Sequence, residues 1–201
     1  MTSATDERAR PRIEGEREEQ IFAATLSLLS DVGYDRLTMD AVASAARASK
    51  ATLYRRWSTK ADLVVDAVSR AACMPSPDAV DTGSLRGDLL AMSCGVGGLT
   101  DTVPLAVMSS LVTALHREPE LKDAFHRRFL APRLQLTQEL FERAAARGEL
   151  AEGADPELLA QVLPAVAIHR TFIFGEAPKD GFVERVIDEI VLPACRTETV
   201  R

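Results

Sequence analysis

Five basic residues lie within fourteen consecutive positions, and no aspartate or glutamate stands among them. They are Arg47, Lys50, Arg55, Arg56 and Lys60. Guanidinium and ammonium groups form charge-assisted hydrogen bonds with carboxylate and phosphate oxygens. The chemistry that this segment predicts is therefore the binding of a polyanion.

The residues around this basic segment predict two short helices joined by a tight turn of about three residues. Thr38 and Ser49 lie immediately before the two helices as predicted N-caps. The hydroxyl of an N-cap accepts a backbone N–H that has no partner within the helix. Apolar residues recur at three- and four-residue spacing and leave a polar face on each helix. The apolar positions are Met39, Val42, Ala43 and Ala46 in the first helix, and Leu53 and Trp57 in the second. This pattern is typical of a helix-turn-helix, whose second helix enters a DNA major groove.

Most of the residues expected to contact DNA have short or basic side chains, and they lie on or near the polar face. Short side chains at the start of the second helix let its backbone approach the groove. We expect phosphate contacts from Thr38 and Lys60, and groove contacts from Lys50, Thr52, Tyr54 and Arg55. The full predicted set is Thr38, Arg47, Ser49, Lys50, Ala51, Thr52, Tyr54, Arg55 and Lys60.

This region resembles the tetracycline-repressor (TetR) family of bacterial transcriptional regulators. The resemblance runs from Ile21 to Leu63 through Asp31–Val32–Gly33–Tyr34, Leu37–Thr38–Met39, Val42–Ala43, Ser49 to Trp57, and Lys60. It implies a three-helix DNA-binding domain followed by a helical domain for ligand binding and dimerisation.

Two residues depart from the family pattern. Arg47 stands where the family usually has glycine, and a residue with a Cβ at positive φ costs roughly 1 kcal/mol or more. Either the turn avoids that backbone region, or Arg47 accepts the strain and adds a phosphate contact. Trp57 replaces the usual phenylalanine. The pocket that holds phenylalanine in the family could hold this tryptophan with modest repacking.

Composition and charge narrow the class of protein. The chain has 201 residues, 46% of them hydrophobic, enough for a small module and a larger core. Residues 1–60 hold ten Lys and Arg against nine Asp and Glu, so the other residues hold fourteen against twenty-one. Such a division suits a protein that touches DNA with one end only.

No apolar run of about 18 residues and no signal-peptide pattern occurs, so we expect a cytoplasmic protein without a membrane partner.

No motif predicts catalysis or a metal. The three cysteines and three histidines are scattered, without the spacings that hold zinc. Catalytic dyads, triads and phosphate-binding glycine loops are likewise missing from the sequence pattern. We therefore expect no metal, no cofactor and no enzymatic activity, and an all-helical enzyme is the weakest alternative.

The pattern predicts an all-α chain in four parts. They are a disordered arm over 1–13, the helix-turn-helix domain over 14–60, a connecting helix and linker over 61–77, and an effector-binding and dimerisation domain over 78–201. The first helix is expected from about Glu16 to Val32, and the fourth from Lys60 to about Ala72. Later helices are expected at about Ser84–Leu99, Pro104–His116, Pro119–Arg147, Pro156–Gly175 and Phe182–Cys195.

The last two predicted helices are apolar on more than one face, so each needs a second packing partner. In the resembled family these helices form a dimer interface. The interface residues predicted here are Leu158, Val162, Val166, Val183, Val186, Ile187 and Ile190. An isologous homodimer suits palindromic operator DNA, where two recognition helices about 34–36 Å apart enter successive major grooves.

A small-molecule effector is implied by the resemblance. Adaptable or flat apolar side chains with one polar group could line its pocket, although each could equally fill the core. The candidates are Met92, Met108, Leu111, Phe125, Phe129, Leu136, His169 and Phe172.

The function expected is a dimeric repressor that a small, largely apolar ligand releases from its operator. The alternative is a constitutive DNA binder or an activator without ligand control.

Overall fold

The computed structural model describes residues 9–72, 74–93, 105–176 and 179–196, and these residues form helices and no strand. The first helices are α1 (Ala9–Arg36), α2 (Met39–Ala45), α3 (Lys50–Arg56) and α4 (Lys60–Ala71). A 3₁₀ turn over Pro77–Val80 precedes α5 (Leu85–Met92), α6 (Leu105–Leu115) and α7 (Pro119–Phe125). The last helices are α8 (Ala131–Ala146), α9 (Pro156–Ile173), α10 (Phe182–Val186) and α11 (Leu192–Arg196). π-helical segments over His126–Leu130 and Ile187–Val191 join α7 to α8 and α10 to α11. The all-α prediction is confirmed.

The first helix begins earlier than the sequence pattern predicted. It starts at Ala9 rather than near Glu16, so it includes residues 9–13 of the predicted arm. Extending an existing helix adds one hydrogen bond for each residue fixed, and Pro11 lies in the first turn, where its missing N–H has no helical partner. Residues 1–8 of the predicted arm lie outside the described residues.

The regular part of α1 ends at Gly33, as predicted. Gly33 has φ 76° and ψ 170°, a left-handed backbone that glycine adopts without a steric penalty. A Cβ at this position would stand 3.3 Å from the Ser110 Oγ. The kink and the close approach both favour glycine here.

The described residues divide into two compact units, and the division differs from the predicted domain boundaries. The first unit joins the described part of Met1–Ala71 to Ala106–Phe125, and the second holds the described parts of Ala72–Leu105 and His126–Arg201. Because α4 is buried around most of its circumference, it needs two partners, and it packs against both α1 and α7. Helices α6 and α7 therefore belong with the helix-turn-helix.

The second unit has its own core and a buried polar network. Its core is built by α5, α8, α9 and the segment from α10 to α11. Asp88 is fully buried and accepts hydrogen bonds from the Thr82 N–H (2.6 Å), the Thr82 hydroxyl (2.7 Å) and the Arg147 guanidinium (3.0 Å). Arg147 also contacts Glu149 at 2.5 Å, and Glu149 accepts the Leu85 N–H at 2.8 Å. The network joins the start of α5 to the turn after α8.

Candidate DNA interface

Hydroxyl caps fix the starts of α2 and α3. The Thr38 Oγ1 accepts the Ala41 N–H at 3.1 Å, and the Ser49 Oγ accepts the Thr52 N–H at 3.1 Å. The hydroxyls of Ser49 and Thr52 are also 2.8 Å apart. Both predicted N-caps are confirmed, and each satisfies a backbone donor that the helix leaves free.

The turn between α2 and α3 uses the left-handed backbone at Arg47, where φ is 52°. The Arg47 N–H donates to the Ser44 carbonyl at 3.1 Å, and the Ala48 N–H donates to the Ala43 carbonyl at 2.8 Å. These two bonds form a Schellman motif, which requires positive φ at the residue after the helix cap. Of the two alternatives for the turn backbone, the structure shows the one in which Arg47 itself adopts the left-handed conformation and accepts its strain.

Two buried side chains hold α3 against the rest of the first unit. Leu53 is fully buried and Trp57 is 1% exposed. The Trp57 Nε1 donates to the Asp66 carboxylate at 2.9 Å, and its ring meets the Phe22 ring edge-on at 5.6 Å between centroids. The tryptophan thus fills the pocket expected for phenylalanine and gains a hydrogen bond there.

The opposite face of α3 is open to solvent. Tyr54 is 54% exposed, and Ala51 and Arg55 are exposed beside it. Lys50 is also exposed, and its ammonium lies 2.6 Å from the Asp40 carboxylate. Exposed ion pairs contribute about 0–1 kcal/mol, so this contact can be exchanged for one with a phosphate. This surface matches the predicted groove-contacting set.

Lys60 has partners that the sequence did not indicate. Its ammonium donates to the Tyr34 carbonyl at 2.9 Å and lies 4.0 Å from the centroid of the Tyr34 ring. Burial, followed by the negative charges of Glu120, Glu118 and Asp35, raises the pKa of Tyr34 to about 12. Tyr34 therefore stays uncharged beside Lys60 at neutral pH. A phosphate contact of Lys60, as predicted, would have to replace or share its contacts with Tyr34.

The structure distributes the eight predicted ligand-lining residues over both units. Met108, Leu111 and Phe125 belong to the first unit, and Met92, Phe129, Leu136, His169 and Phe172 to the second. Leu111, Phe125, Phe129 and Leu136 are buried side chains. His169 is exposed, and its ring meets the Phe174 ring at 5.2 Å between centroids. Neither unit by itself brings the eight together.

The second unit contains a different cavity, of about 620 Å³, between α8 and the start of α9. Its lining residues are Leu134, Gln138, Phe141, Glu142, Ala145, Leu150, Asp155, Pro156, Glu157 and Ala160. The volume lies within the range of about 300–1,000 Å³ that holds small molecules in proteins. These residues carry no signal in the sequence pattern, because helical periodicity identifies inward-facing positions, whereas a cavity depends on how neighbouring helices fit together.

The predicted dimer-interface residues fall into three classes of exposure. Leu158 and Ile190 are exposed, at 62% and 45%, and Val162, Val166 and Val183 are half-buried. Val186 and Ile187 are buried in the core of their own unit, which corrects the prediction for these two residues. Val186 precedes the π-helical segment and Ile187 begins it, and both side chains pack in the core, whereas Ile190 of the same segment is exposed.

No helix within the described ranges is long and apolar enough to cross a membrane.

Comparisons with known proteins agree with the geometry of the helix-turn-helix. Residues 21–67 match the sequence model of bacterial regulatory proteins of the tetR family, and residues 79–190 match the tetracyclin repressor-like C-terminal domain. An HTH-type transcriptional regulator of Mycobacterium tuberculosis is 35% identical, over 99% of this chain and 98% of its own. The DNA-binding transcriptional repressor TetR of Mycobacteroides abscessus is 34% identical, over 90% of this chain and 94% of its own.

Solved structures give the same assignment. The crystal structure of a TetR family transcription regulator is 28% identical to this chain and superposes with a TM-score of 0.62, covering 88% of this chain and 97% of that one. The matched family models and relatives are regulators of transcription and not enzymes. The chain belongs to the tetR family of bacterial regulatory proteins, as a DNA-binding regulator of transcription.

Proposed function

We propose that the chain is a homodimeric repressor that binds a palindromic, double-stranded operator through α3 and is released by a small molecule. The observation that carries the proposal is the two-sided character of α3. Leu53 and Trp57 anchor its inner face, while Lys50, Tyr54 and Arg55 face solvent together. The repressor of Mycobacteroides abscessus, at 34% identity, supports repression as the sign of regulation.

Exposed apolar side chains on α9 support the dimer. Leu158, Ile168 and Ile173 are 62%, 46% and 70% exposed, and Ile190 adds a fourth exposed side chain after α10. Apolar side chains concentrated on one part of a surface mark a contact with another molecule. A second copy of the chain related by a two-fold axis would cover them and would pair the two α3 helices for an inverted-repeat operator.

The cavity between α8 and α9 supports release by a ligand. Leu134, Phe141 and Leu150 give it apolar walls suited to a small, largely apolar molecule. The carboxylates of Glu142 and Glu157 favour a ligand that also carries a cationic group. The eight residues named from the sequence remain a separate prediction. The alternative to ligand control is a constitutive DNA binder or an activator, which would bind its operator identically with and without small molecules.

Selection of DNA from a random pool by the full-length protein tests the proposal. We expect an inverted repeat to be enriched. In titrations with the enriched duplex, Lys50→Ala or Tyr54→Ala should change the preference at single operator positions by about 1–3 kcal/mol. Arg70→Ala is the control, because Arg70 lies on α4, pairs with Glu19 at 2.6 Å and is not among the predicted DNA contacts. A pool that stays random after repeated selection would contradict the proposal.

A further inference from the structure

A cleft between α1 and α3 carries basic groups that the predicted helix-turn-helix contacts do not include. The cleft has a volume of about 340 Å³. Its lining residues are Arg17, Glu18, Ile21, Thr52, Arg55, Arg56 and Trp57. We call it the α1–α3 cleft. Three guanidinium groups against one carboxylate give the lining a positive charge, so it suits an anion.

Arg17 is held at the edge of this cleft by the helix-turn-helix itself. Its Nη2 donates to the carbonyl oxygen of Arg47, the left-handed residue of the turn, and its Nη1 donates to the Gln20 side chain at 3.2 Å. Both acceptors are uncharged and orient the guanidinium, and no carboxylate of the described side chains forms an ion pair with it. A guanidinium carries five N–H donors, and further donors stay available to a ligand.

The other two arginines of the cleft differ in their partners. Arg56 lies 2.6 Å from the Glu18 carboxylate and over the Trp57 ring, so the single acid of the cleft is already paired. Arg55 is exposed and forms no ion pair with any described residue. Arg17 and Arg55 therefore supply the positive charge that remains. Thr52 also lines the cleft, and its hydroxyl lies 2.8 Å from the Ser49 hydroxyl.

We propose that the α1–α3 cleft binds one phosphate group of the operator backbone, with Arg17 and Arg55 as its charged ligands and Thr52 as a hydroxyl donor. The inference rests on the proposed function, because a helix that enters the major groove lies beside the sugar–phosphate strand that borders it. Arg17, which lies outside the helix-turn-helix, then contacts DNA. Arg55 contacts a phosphate of the DNA backbone instead of a base. A contact of this kind fixes the register of α3 without reading sequence.

The test is the salt dependence of binding by the full-length protein to its selected operator and to an unrelated duplex. Arg17→Gln removes the charge and keeps an N–H donor for the Arg47 carbonyl. It should weaken both duplexes by the same factor, about three- to tenfold, and lower the salt slope by about one unit. Arg55→Gln should do the same. Arg17→Lys should keep the slope, and Arg70→Ala should change neither quantity.

Three results would overturn the assignment. One is a wild-type salt slope in Arg17→Gln. Another is a changed preference at a single base pair in Arg55→Gln, which would place that side chain on a base edge. The third is stabilisation of the wild type, and not of Arg17→Gln, by inorganic phosphate at constant ionic strength, together with equal operator affinity of the two proteins, which would mark a site for a free anion and not for DNA.

The failures of this proposal and of the proposed function are distinguishable. A wild-type protein that selects no duplex contradicts both. A wild-type protein that binds its operator while Arg17→Gln and Arg55→Gln keep the wild-type slope contradicts the cleft alone. Thermal unfolding of each variant separates a lost phosphate contact from a loosened turn: an unchanged melting temperature with a reduced slope supports the cleft, and a lowered melting temperature with an unchanged slope opposes it.

Discussion

The ammonium group of Lys60 donates to the carbonyl oxygen of Tyr34 at 2.9 Å and lies 4.0 Å from the centroid of its ring. The N–H of the same tyrosine donates to the Ser110 Oγ at 2.7 Å. Tyr34 therefore connects the first residue of α4 to α6 through both polar atoms of its backbone. The end of α1 after Gly33 is therefore held from two sides.

Lys60→Met tests the role of the ammonium group while keeping an apolar stem of similar length. Losing the hydrogen bond and the cation–π contact should lower the free energy of unfolding by about 1 kcal/mol, measured in urea. Lys122→Met, an exposed lysine on α7, serves as the control and should change little. A variant with unchanged stability and a salt slope of operator binding reduced by about one unit would instead place Lys60 on a phosphate.

A pair of variants at Arg47 separates backbone strain from charge. Arg47→Gly should stabilise the fold by about 1 kcal/mol relative to Arg47→Ala, because alanine keeps the penalty of the left-handed backbone and glycine removes it. Both variants lack the guanidinium, so a shared loss of operator affinity relative to the wild type reports its predicted phosphate contact. Chemical denaturation and operator titration measure the two effects. Equal stability of the two variants would mean that the turn relaxes without glycine.

Asp88 should make the second unit sensitive to acid. Burial raises the pKa of Asp88, but hydrogen bonds from Thr82 and Arg147 outweigh burial and lower the pKa below its ordinary value. A depressed folded-state pKa contributes stability that is present above the unfolded value, about 3.9, and is lost as the pH falls through the folded value.

Asp88→Asn should therefore lower the free energy of unfolding at pH 7 by about 1.5–3 kcal/mol, and the difference from the wild type should shrink below about pH 4. Denaturation curves at several pH values measure it. Asp78→Asn, at an exposed aspartate of the 3₁₀ turn, is the matched control. A difference that stays constant down to pH 2 would show that the charge of Asp88 is not the cause.

Two aspartate substitutions separate the proposed dimer contact from the core of the second unit. Ile190→Asp should give folded monomers, because a charge in a subunit interface costs several kcal/mol. Val186→Asp should unfold the second unit instead, since Val186 is only 5% exposed within its own subunit. Light scattering and circular dichroism at micromolar concentration distinguish the two. A wild-type monomer under these conditions would rule out the dimer.

Local rules explain why the helix-turn-helix could be predicted from the sequence. The caps at Thr38 and Ser49, the stop at Gly33 and the inward-facing Leu53 and Trp57 each depend on residues within a few positions. The same reasoning could not find Arg17, whose contact with the Arg47 carbonyl joins residues 30 positions apart. Long-range contacts of polar side chains leave no periodic signal.

Helical periodicity also could not decide which surfaces meet. It identified α4 as apolar but not its partners α1 and α7, so the predicted domain boundary placed α7 in the effector domain. It predicted Val186 and Ile187 on an outer apolar face, whereas both side chains are buried in the core of their own unit. The eight predicted ligand residues followed from residue type and from their place on the middle helices, and neither determines where neighbouring helices leave space.

The peptide group between Arg47 and Ala48 is bonded at both of its polar atoms. Its carbonyl oxygen accepts from Arg17, and its N–H donates to the Ala43 carbonyl at 2.8 Å. A flip of this peptide would break both bonds at once, so we expect these bonds to hold the angle between α2 and α3 when the chain binds DNA. A new operator preference in this chain would then arise by exchange of side chains along α3, one base pair at a time, and not by tilting the helix in the groove.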